Sequence, residues 1–306
     1  MPITNQHNLP YPIVKMLTRN DYVKEPDNVI SVTTLLKSVR QIILERRMQS
    51  QPAMETSYDV TSLAGTLLGN ATHSYLEDTI KTAYDEAYEY LPTLSSPATT
   101  DKPALFLEQR SYCEIGQWKV GGQFDMVYNK AVYDLKTTSV FRFCKPDTRS
   151  KYAKQLSMYR WLNPQIITKD IGYIVAILKD WSASQCYVQG YPQAQVTCTP
   201  IALENPETVD RFVKQKLRTI ELHLDTPEEE LPLCSPEDLW QDSPVWKYYK
   251  NPENTQRSTA NFTNPQEAYA RLAKEGKGVV NMVLGKPRAC AYCPAAPICT
   301  QKNQYI

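Results

Sequence analysis

Two aspartates and a lysine lie close together in the stretch GGQFDMVYNKAVYDLKTTS, residues 121–139, and these residue types can hold a divalent metal ion. The pattern predicts two short strands joined by a tight turn at 129–130. Alternation along the second strand puts Asp134 and Lys136 on one face, and strand pairing brings Asp125 beside Asp134. Two carboxylates and an ammonium are costly to hold together at a half-buried hairpin. Mg²⁺ or Mn²⁺ would offset that cost, because these ions prefer hard oxygen ligands, and the lysine would lie next to the attacked group.

The ordinary interpretation of an Asp-x-Lys triplet on a strand is a solvated face, where alternating charges are common. Only the rest of the chain can separate that interpretation from a metal site.

The composition describes a folded chain without a general affinity for nucleic acid. Its 306 residues, 42% of them apolar, suffice for one large domain with an appendage or for two domains. A net charge of +1 means that any DNA-binding surface must be local. No apolar run approaches the ~20 residues that cross a bilayer, and the N-terminus lacks a signal pattern. We therefore expect a cytoplasmic protein with no membrane partner.

The elements that position the acidic residues include both helices and strands. Ser31 caps a first helix that continues past Ile43, and a second helix covers about 58–90, with His73 and Glu77 one turn apart. The other predicted elements are an antiparallel meander of strands at Ala104–Cys113, Trp118–Tyr128 and Ala131–Ser139, further strands at Ile171–Leu178 and Gln185–Tyr191, and helices at about 150–162, 205–224 and 265–275.

Two basic stretches are candidates for contact with DNA phosphates. Lys37 and Arg40 lie on the polar face of the first helix, and Arg149 and Lys151 follow the meander in a basic linker. Residues of this kind either lie on a solvated face or bind phosphate.

Three of the eight cysteines form the group Cys290-x2-Cys293-x5-Cys299, with prolines between them. In a cytoplasmic chain this spacing indicates metal or cluster ligation rather than disulfides. A fourth ligand has to come from elsewhere, and Cys234 in the same loop-rich segment is the candidate. Four thiolates suit zinc or a [4Fe–4S] cluster, and either would stabilise a segment with little apolar core. The alternative is a set of free cysteines.

The composition changes after Asp225, where an acidic and proline-rich segment begins. We therefore expect an N-terminal arm at 1–30, a core at 31–226 and a C-terminal module at 227–306.

Several short motifs follow one another along the first part of the chain. They are Gly69…His73-x3-Glu77, Gly121-Gly122-Gln123-x-Asp125, Asp134-Leu135-Lys136 and Gln155-Leu156-x2-Tyr159. In this order they resemble the RecB-type branch of the PD-(D/E)XK nucleases, over about residues 30–180. The whole chain, with its NLPYP opening, SVTTLL and C-terminal cysteines, is similar to the phage-encoded RecB-like exonucleases.

The resemblance implies an α/β, restriction-endonuclease-like core, with a mixed central sheet flanked by helices, and a role for each matching position. His73, Asp125 and Asp134 would bind Mg²⁺ or Mn²⁺ with help from the carbonyl of Leu135. Lys136 would orient or activate the attacking water and stabilise developing phosphate charge.

The same resemblance assigns positioning roles. Gln155 and Tyr159 would position the scissile strand and the lysine, and Glu108 would be an outer-shell acid.

The resemblance also bears on the cysteines. In relatives with an iron–sulfur cluster, one cysteine precedes the nuclease core and three follow it. In this chain no cysteine precedes Cys113, and Ser38 stands roughly where that cysteine would be. The resemblance favours a [4Fe–4S] cluster over zinc, with Cys234 as the remaining ligand.

As a whole, the resemblance implies a metal-dependent exonuclease that hydrolyses phosphodiester bonds from the ends of linear DNA. The substrate would be a double-stranded end or a single-stranded tail, in phage recombination, end resection or DNA degradation. The expected setting is the cytoplasm of a bacterial host, with a single-strand annealing protein or a helicase as partner. Three alternatives stay open: a structure-specific or nicking endonuclease on the same site, a catalytically silent DNA-binding recombination partner, and a zinc-stabilised binding module.

Overall fold

A computed structural model describes residues 3–19, 25–50, 58–90 and 104–305, and it confirms a mixed α/β fold with a central mixed sheet flanked by helices. The chain divides into two compact units. Unit 1 comprises Met1–Leu36 and Ala53–Thr219, and unit 2 comprises Lys37–Pro52 and Ile220–Ile306. The predicted boundary at 226–227 therefore lies near the second division, whereas the assignment of 37–52 to the C-terminal unit was not predicted.

The strands and helices have the following bounds. The strands are β1 (Ile3–Thr4), β2 (Val29–Ser31), β3 (Tyr58–Asp59), β4 (Leu105–Ile115), β5 (Trp118–Tyr128), β6 (Ala131–Thr138), β7 (Ile171–Leu178), β8 (Val196–Ala202), β9 (Val245–Tyr249), β10 (Ala260–Phe262) and β11 (Val279–Val283). The helices are α1 (Tyr11–Leu17), α2 (Val32–Leu35), α3 (Val39–Ser50), α4 (Ala64–Tyr90), α5 (Val140–Phe143), α6 (Pro146–Leu162), α7 (Pro206–Leu222) and α8 (Pro265–Glu275).

The central sheet of unit 1 has the order β2-β5-β6-β7-β8, and β4 pairs with β5 outside that path. Strands β4, β5 and β6 form the predicted antiparallel meander, β6 and β7 are parallel, and β8 is antiparallel to β7. On the edge of β5 that faces away from β4, β2 covers residues 119–121 and β6 covers 126–128. The backbone of β5 between these two partners is thus the point where the sheet forks.

The β5–β6 turn has the predicted position and a specific geometry. Asn129 and Lys130 both have positive φ, at 48° and 65°. Two successive left-handed residues are what a two-residue hairpin turn requires, because its twist then matches that of the strands.

Helix α6 packs against β5 at a position that only glycine can occupy without displacement. A Cβ at Gly122 would lie 2.7 Å from Leu162 Cδ1 and 2.9 Å from Val32 Cγ2. This close approach brings the side chains of α6 to the fork of the sheet.

The predicted first helix is two helices. The side chain of Ser31 accepts a hydrogen bond from the amide of Thr34 and caps α2, which ends at Leu35. The chain then starts again at α3, where Ser38 Oγ accepts from the amide of Gln41 at 3.1 Å. Serine side chains favour helix starts for this reason, and here the second one divides a continuous apolar pattern.

The predicted strand at Gln185–Tyr191 is wrong. The segment forms a short 3-10 helix at Ala183–Gln185 followed by turns, and β8 instead pairs with β7 on the side away from β6. Gly190 has a φ of 83°, and the side chain of Gln193 donates to the carbonyl of Cys186 at 2.8 Å. These features satisfy the backbone within the loop, so its apolar residues do not join the sheet.

The predicted N-terminal arm is more ordered than its composition indicates. Within the described part of 1–30, α1 is helical and β2 begins at Val29 as a parallel strand on β5. The arm therefore contributes to the sheet of unit 1.

Unit 2 is built around the antiparallel sheet β10-β9-β11, with α3 and α8 and three short 3-10 helices near the C-terminus. It has more regular structure than the loop-rich module expected from its composition. Across the described residues of both units, we find no helix with the length and apolar character needed to span a membrane.

Candidate active site

The two aspartates lie at the fork between β5 and β6. The last pair of the β5–β6 ladder is Met126 with Tyr133, so Asp125 and Asp134 follow in register at the point where the strands separate. Both are buried, and Asp134 is only 1% exposed. Asp125 Oδ2 accepts a hydrogen bond from the amide of Leu135 at 2.6 Å, which fixes one carboxylate against the backbone of the other strand.

Helix α4 brings a histidine to the same point. It passes close to β6 at Gly69, where a Cβ would lie 3.8 Å from Thr137 Oγ1. One turn later, His73 Nδ1 lies 3.5 Å from Asp125 Oδ1 and 3.4 Å from Glu108 Oε1. One ligand atom from each of these three residues lies within 4.8 Å of the other two, which is the spacing of groups that share a metal ion.

Glu108, which the resemblance implies only as an outer-shell acid, belongs to this group of possible ligands. It lies on β4 in register with Asp125, between two paired neighbours of the β4–β5 ladder. Its φ is 46°, a left-handed conformation that is uncommon for a residue other than glycine and marks local strain. Gln123 Nε2 donates to Glu108 Oε2 at 2.7 Å and holds the second carboxylate oxygen. This backbone turn directs Glu108 to the histidine.

Asp134 interacts with a different set of partners. Its Oδ2 lies 2.5 Å from Lys136 Nζ, and its Oδ1 accepts from Gln155 Nε2 at 3.2 Å. The same Gln155 amide nitrogen donates to Tyr159 Oη at 2.9 Å. Apart from the lysine ammonium, Oδ2 has no hydrogen-bond donor among the described residues. The lysine ammonium is therefore the partner of this buried oxygen, and a metal ion could take its place there.

Gln155 and Tyr159 are both buried on α6. Gln155 holds the carboxylate of Asp134, and Tyr159 in turn accepts from Gln155. Their predicted role in positioning the scissile strand stays a prediction. A third residue of the same helix face, Tyr152, was missed: Lys136 Nζ lies 5.9 Å from the centre of its ring. Its spacing of three residues from Gln155 and seven from Tyr159 is the signal that would have identified it.

The acids share a strained electrostatic environment. Burial and, after it, the charge of the neighbouring Asp134 together raise the pKa of Asp125 to about 7, although His73 and Lys136 act in the opposite direction. The hydrogen bond with Glu108 raises the pKa of His73, against the effect of desolvation. Burial disfavours the charge on Lys136, but the carboxylates of Asp134 and Asp125 outweigh it and raise the lysine pKa. Without a metal, protons and the lysine ammonium thus neutralise the carboxylates.

The donor set fits a hard divalent ion. Carboxylate oxygens from Glu108 and Asp125, an imidazole nitrogen from His73 and the buried oxygen of Asp134 surround the fork. Mg²⁺ and Mn²⁺ accept such ligands. The predicted set of His73, Asp125, Asp134 and Leu135 is thereby extended by Glu108, while Leu135 contributes its amide to Asp125.

The four predicted DNA-binding cations have different surroundings. Arg149 is exposed and Lys151 is half-buried on α6 in unit 1. In unit 2, Lys37 pairs with Glu45 at 2.7 Å, and Arg40 is 1% exposed. The burial of Arg40 is incompatible with the predicted phosphate contact.

The buried guanidinium of Arg40 lies among the cysteines of unit 2. Its Nε donates to Cys299 Sγ at 3.3 Å and its Nη1 to the carbonyl of Leu231 at 3.0 Å. A salt bridge to Glu228 balances its charge. Ser38 Oγ lies 3.1 Å from Cys234 Sγ. The first turn of α3 and the residue before it therefore contact the cysteine group through Arg40 and Ser38.

Unit 2 brings its four predicted ligands into one group. Burial raises the pKa of Cys234, Cys290 and Cys293, and in each case two other thiols of the group raise it further. Cys299 contributes to all three.

Comparisons with known proteins give limited similarity. Neither a protein-family model nor a curated protein matches the chain. The fold is similar to the crystal structure of SSO0001, with a TM-score of 0.42 and 18% identity over 69% of this chain and 87% of that one. It is also similar to an alkaline exonuclease (LHK-Exo) from Laribacter hongkongensis, with a TM-score of 0.36 and 12% identity over 65% of this chain and 90% of that one. A phage related exonuclease from Haemophilus somnus 129PT gives a TM-score of 0.29 and 14% identity over 61% and 79%. These likenesses assign no activity to the chain.

Proposed function

We propose that the chain is a metal-dependent deoxyribonuclease that hydrolyses phosphodiester bonds from the ends of linear DNA. The observation that carries the proposal is the arrangement at the β5–β6 fork. His73, Glu108 and Asp125 offer ligand atoms within 4.8 Å of one another, directly beside the buried Asp134–Lys136 pair. Acids and a lysine at such a fork suit attack of water on a phosphodiester.

The residues of the fork would have two roles, which are to hold a metal ion and to stabilise charge on the phosphate. Glu108, Asp125, His73 and Asp134 would hold Mg²⁺ or Mn²⁺, which supplies Lewis-acid polarisation of the phosphate and a nucleophile at neutral pH. Gln155 fixes the carboxylate of Asp134 through its hydrogen bond of 3.2 Å.

Lys136 would act as a cation rather than as a base. Its raised pKa keeps the ammonium protonated while it pairs with Asp134. With a metal ion held by the carboxylates, the Lys136 ammonium would be free to stabilise negative charge on the phosphate oxygens while water adds to phosphorus and the P–O bond to the leaving group breaks.

The proposal includes a substrate and a setting. The substrate would be a double-stranded end or a single-stranded tail of linear DNA, and its hydrolysis would serve phage recombination, end resection or the destruction of DNA. The site would act in the cytoplasm of a bacterial host, alongside an annealing protein or a helicase.

We propose also that Cys234, Cys290, Cys293 and Cys299 ligate a [4Fe–4S] cluster. Three of these thiols each have their pKa raised by two other thiols of the group, so the sulfurs lie near one another in unit 2. The family resemblance favours a [4Fe–4S] cluster over zinc as the group that they would hold. The buried Arg40, which donates to Cys299, would balance part of the cluster's negative charge.

End-labelled linear DNA and circular single-stranded DNA, incubated with Mg²⁺, Mn²⁺ or EDTA, test the nuclease proposal. We expect metal-dependent loss of the linear substrate while the circle stays intact. Asp134→Ala and Lys136→Met should abolish this cleavage, whereas Lys169→Met, an exposed lysine on the same unit, should not. Cleavage of the circle would identify an endonuclease instead. Full activity of Asp134→Ala would remove this site from the reaction.

The cysteine proposal has its own readout. Protein purified without oxygen should absorb broadly near ~400 nm and contain iron and acid-labile sulfide. Stoichiometric zinc without that absorption would show the alternative metal.

A further inference from the structure

A groove of about 400 Å³ lies beyond the end of β6, outside the catalytic residues. One wall is α5, with Val140 and Phe141, and the other is the loop after β7, with Val188 and Tyr191. Phe141 is 65% exposed and Val188 is 58% exposed. Large apolar side chains left in solvent on both sides of one groove indicate a surface that binds something.

The groove is held open by hydrogen bonds in its base. The amide of Val140 donates to Asp180 Oδ1 at 2.7 Å, which ties α5 to the end of β7. Tyr191 Oη accepts from the amide of Ser182 at 2.8 Å, and Trp181 Nε1 donates to a backbone carbonyl of the same loop. Both walls are therefore preformed, and Phe141 is exposed because its neighbours hold it there.

The position of the groove connects it to the catalytic strand. Strands β6 and β7 are parallel, so their carboxyl ends meet at one edge of the sheet. Val140 follows Lys136 by four residues, which places the groove within about 13 Å of the lysine along an extended chain. A DNA strand that lies in the active site can reach it with a few nucleotides.

The charges around the groove suit a nucleotide. Lys145 Nζ lies over the Phe141 ring, 4.9 Å from its centre, so a cation covers one face of the ring and leaves the other for stacking. Burial raises the pKa of Tyr152, and the cations Lys136 and Arg142, the latter exposed on α5, oppose part of that shift. The carboxylate of Asp180 is turned to the Val140 amide. Cations thus extend from Lys136 towards the groove.

We propose that the groove between Phe141 and Val188 binds an unpaired base of the DNA strand that enters the active site. An aromatic face takes the base by stacking and an adjacent lysine takes the phosphate, a combination typical of single-strand binding sites. This inference rests on the proposed nuclease function. It assigns the site a substrate with a single-stranded segment next to the scissile bond.

The experiment measures binding of a labelled single-stranded oligonucleotide in Ca²⁺, by fluorescence anisotropy. Phe141→Ala should weaken binding by about 10- to 100-fold, as expected for the loss of one stacked base. Phe141→Trp should bind like the wild type, and Phe141→Leu should not, because leucine retains apolar area but not the ring. Val188→Glu places a carboxylate on the opposite wall of the groove and tests whether that wall also contacts the DNA. Tyr269→Ala, which removes a 55% exposed tyrosine from unit 2, is the matched control.

Oligonucleotides with one abasic position locate the base. At one position the abasic site should reproduce the loss caused by Phe141→Ala, and the two changes together should cost no more than either alone. Additive losses at every position, or a Phe141→Ala variant within about twofold of the control, overturn the inference.

Two further outcomes are distinguishable. If Phe141→Ala leaves DNA binding intact but abolishes self-association in sedimentation experiments, the groove is a protein interface instead. If the wild type neither binds nor cleaves DNA, the proposed function falls and this inference falls with it. If the wild type cleaves DNA and Phe141 variants are unchanged, only the groove assignment fails.

Discussion

Replacing Asp125 with asparagine should stabilise the metal-free protein above neutral pH and abolish its stabilisation by Mg²⁺. The carboxylate is buried beside Asp134, and the unfavourable charge raises its pKa to about 7. Asparagine has nearly the shape of the protonated acid, and its carbonyl oxygen can still accept from the amide of Leu135. The substitution therefore removes the charge without removing the hydrogen bond.

The magnitude follows from the difference between the folded and unfolded pKa values. A carboxyl that titrates at about 7 in the folded protein, against an ordinary 3.8, binds its proton more tightly in the folded state. Its stabilising contribution is complete below about pH 4 and is lost as the pH rises through about 7. A difference of about 3 in pKa corresponds to roughly 4 kcal/mol. Wild type and Asp125→Asn should therefore be equally stable near pH 4, with the variant more stable by up to that amount near pH 8.

Chemical denaturation in EDTA across this pH range, followed by tryptophan fluorescence, measures the difference. Adding Mg²⁺ at pH 8 should raise the stability of the wild type, because the ion replaces the protons, and should leave Asp125→Asn unchanged. Glu253→Gln, an exposed acid-to-amide change, should follow the wild-type curve. Parallel pH curves for wild type and Asp125→Asn would refute the reasoning, since the buried charge would then carry no penalty.

Three other substitutions test single contacts. Gly122→Ala should destabilise the protein by about 1–3 kcal/mol in denaturant melts, because its Cβ overlaps the helix packed on β5, while Gly65→Ala, with open space around it, should be neutral or slightly stabilising. Gln155→Ala should lower kcat for DNA cleavage by about 10- to 100-fold in saturating Mn²⁺, because it leaves a metal-binding aspartate unsupported, and unchanged kcat would contradict that role. Arg40→Met should destabilise unit 2 by about 3–5 kcal/mol, because Glu228 loses its buried partner, and adding Glu228→Gln should recover part of the loss in the same melts. Additive losses for the last pair would show that the two charges do not act together.

Local patterns predicted the hairpin well. Alternation and turn-forming residues gave the bounds of β5 to the residue, and Asn129 and Lys130 adopt the left-handed pair that their positions imply. Such features depend on neighbours within a few residues, so a single sequence contains what is needed to find them.

Glu108 shows what local patterns cannot give. Its role depends on the register of β4 against β5, on a positive φ in mid-strand and on a histidine from α4. None of these three features can be predicted from the residues that neighbour Glu108 in the sequence. The family resemblance named it, but only as an outer-shell acid, because the motif spacing does not report backbone strain.

Arg40 shows the opposite error. On a helical wheel it belongs to the polar face of α3, and a charged residue there is normally solvated. Its guanidinium is buried because Leu231, 191 residues later, and Cys299, 259 residues later, accept its hydrogen bonds. A buried cation with such distant partners has the same sequence pattern as an exposed one, so only tertiary structure separates them.

In the candidate active site, protons and a lysine already offset part of the charge of the buried carboxylates. Lys136 neutralises Asp134, and the raised pKa values of Asp125 and His73 hold protons where an ion would bring positive charge. A structural cluster of acids would have no reason to be buried, strained at Glu108 and supplied with exchangeable protons, because each of these features lowers stability. A metal ion would explain burial, backbone strain and bound protons together, because it would displace the protons and separate the lysine from Asp134. A loss of folding stability at the β5–β6 fork is what we expect if these residues are selected for catalysis rather than for stability.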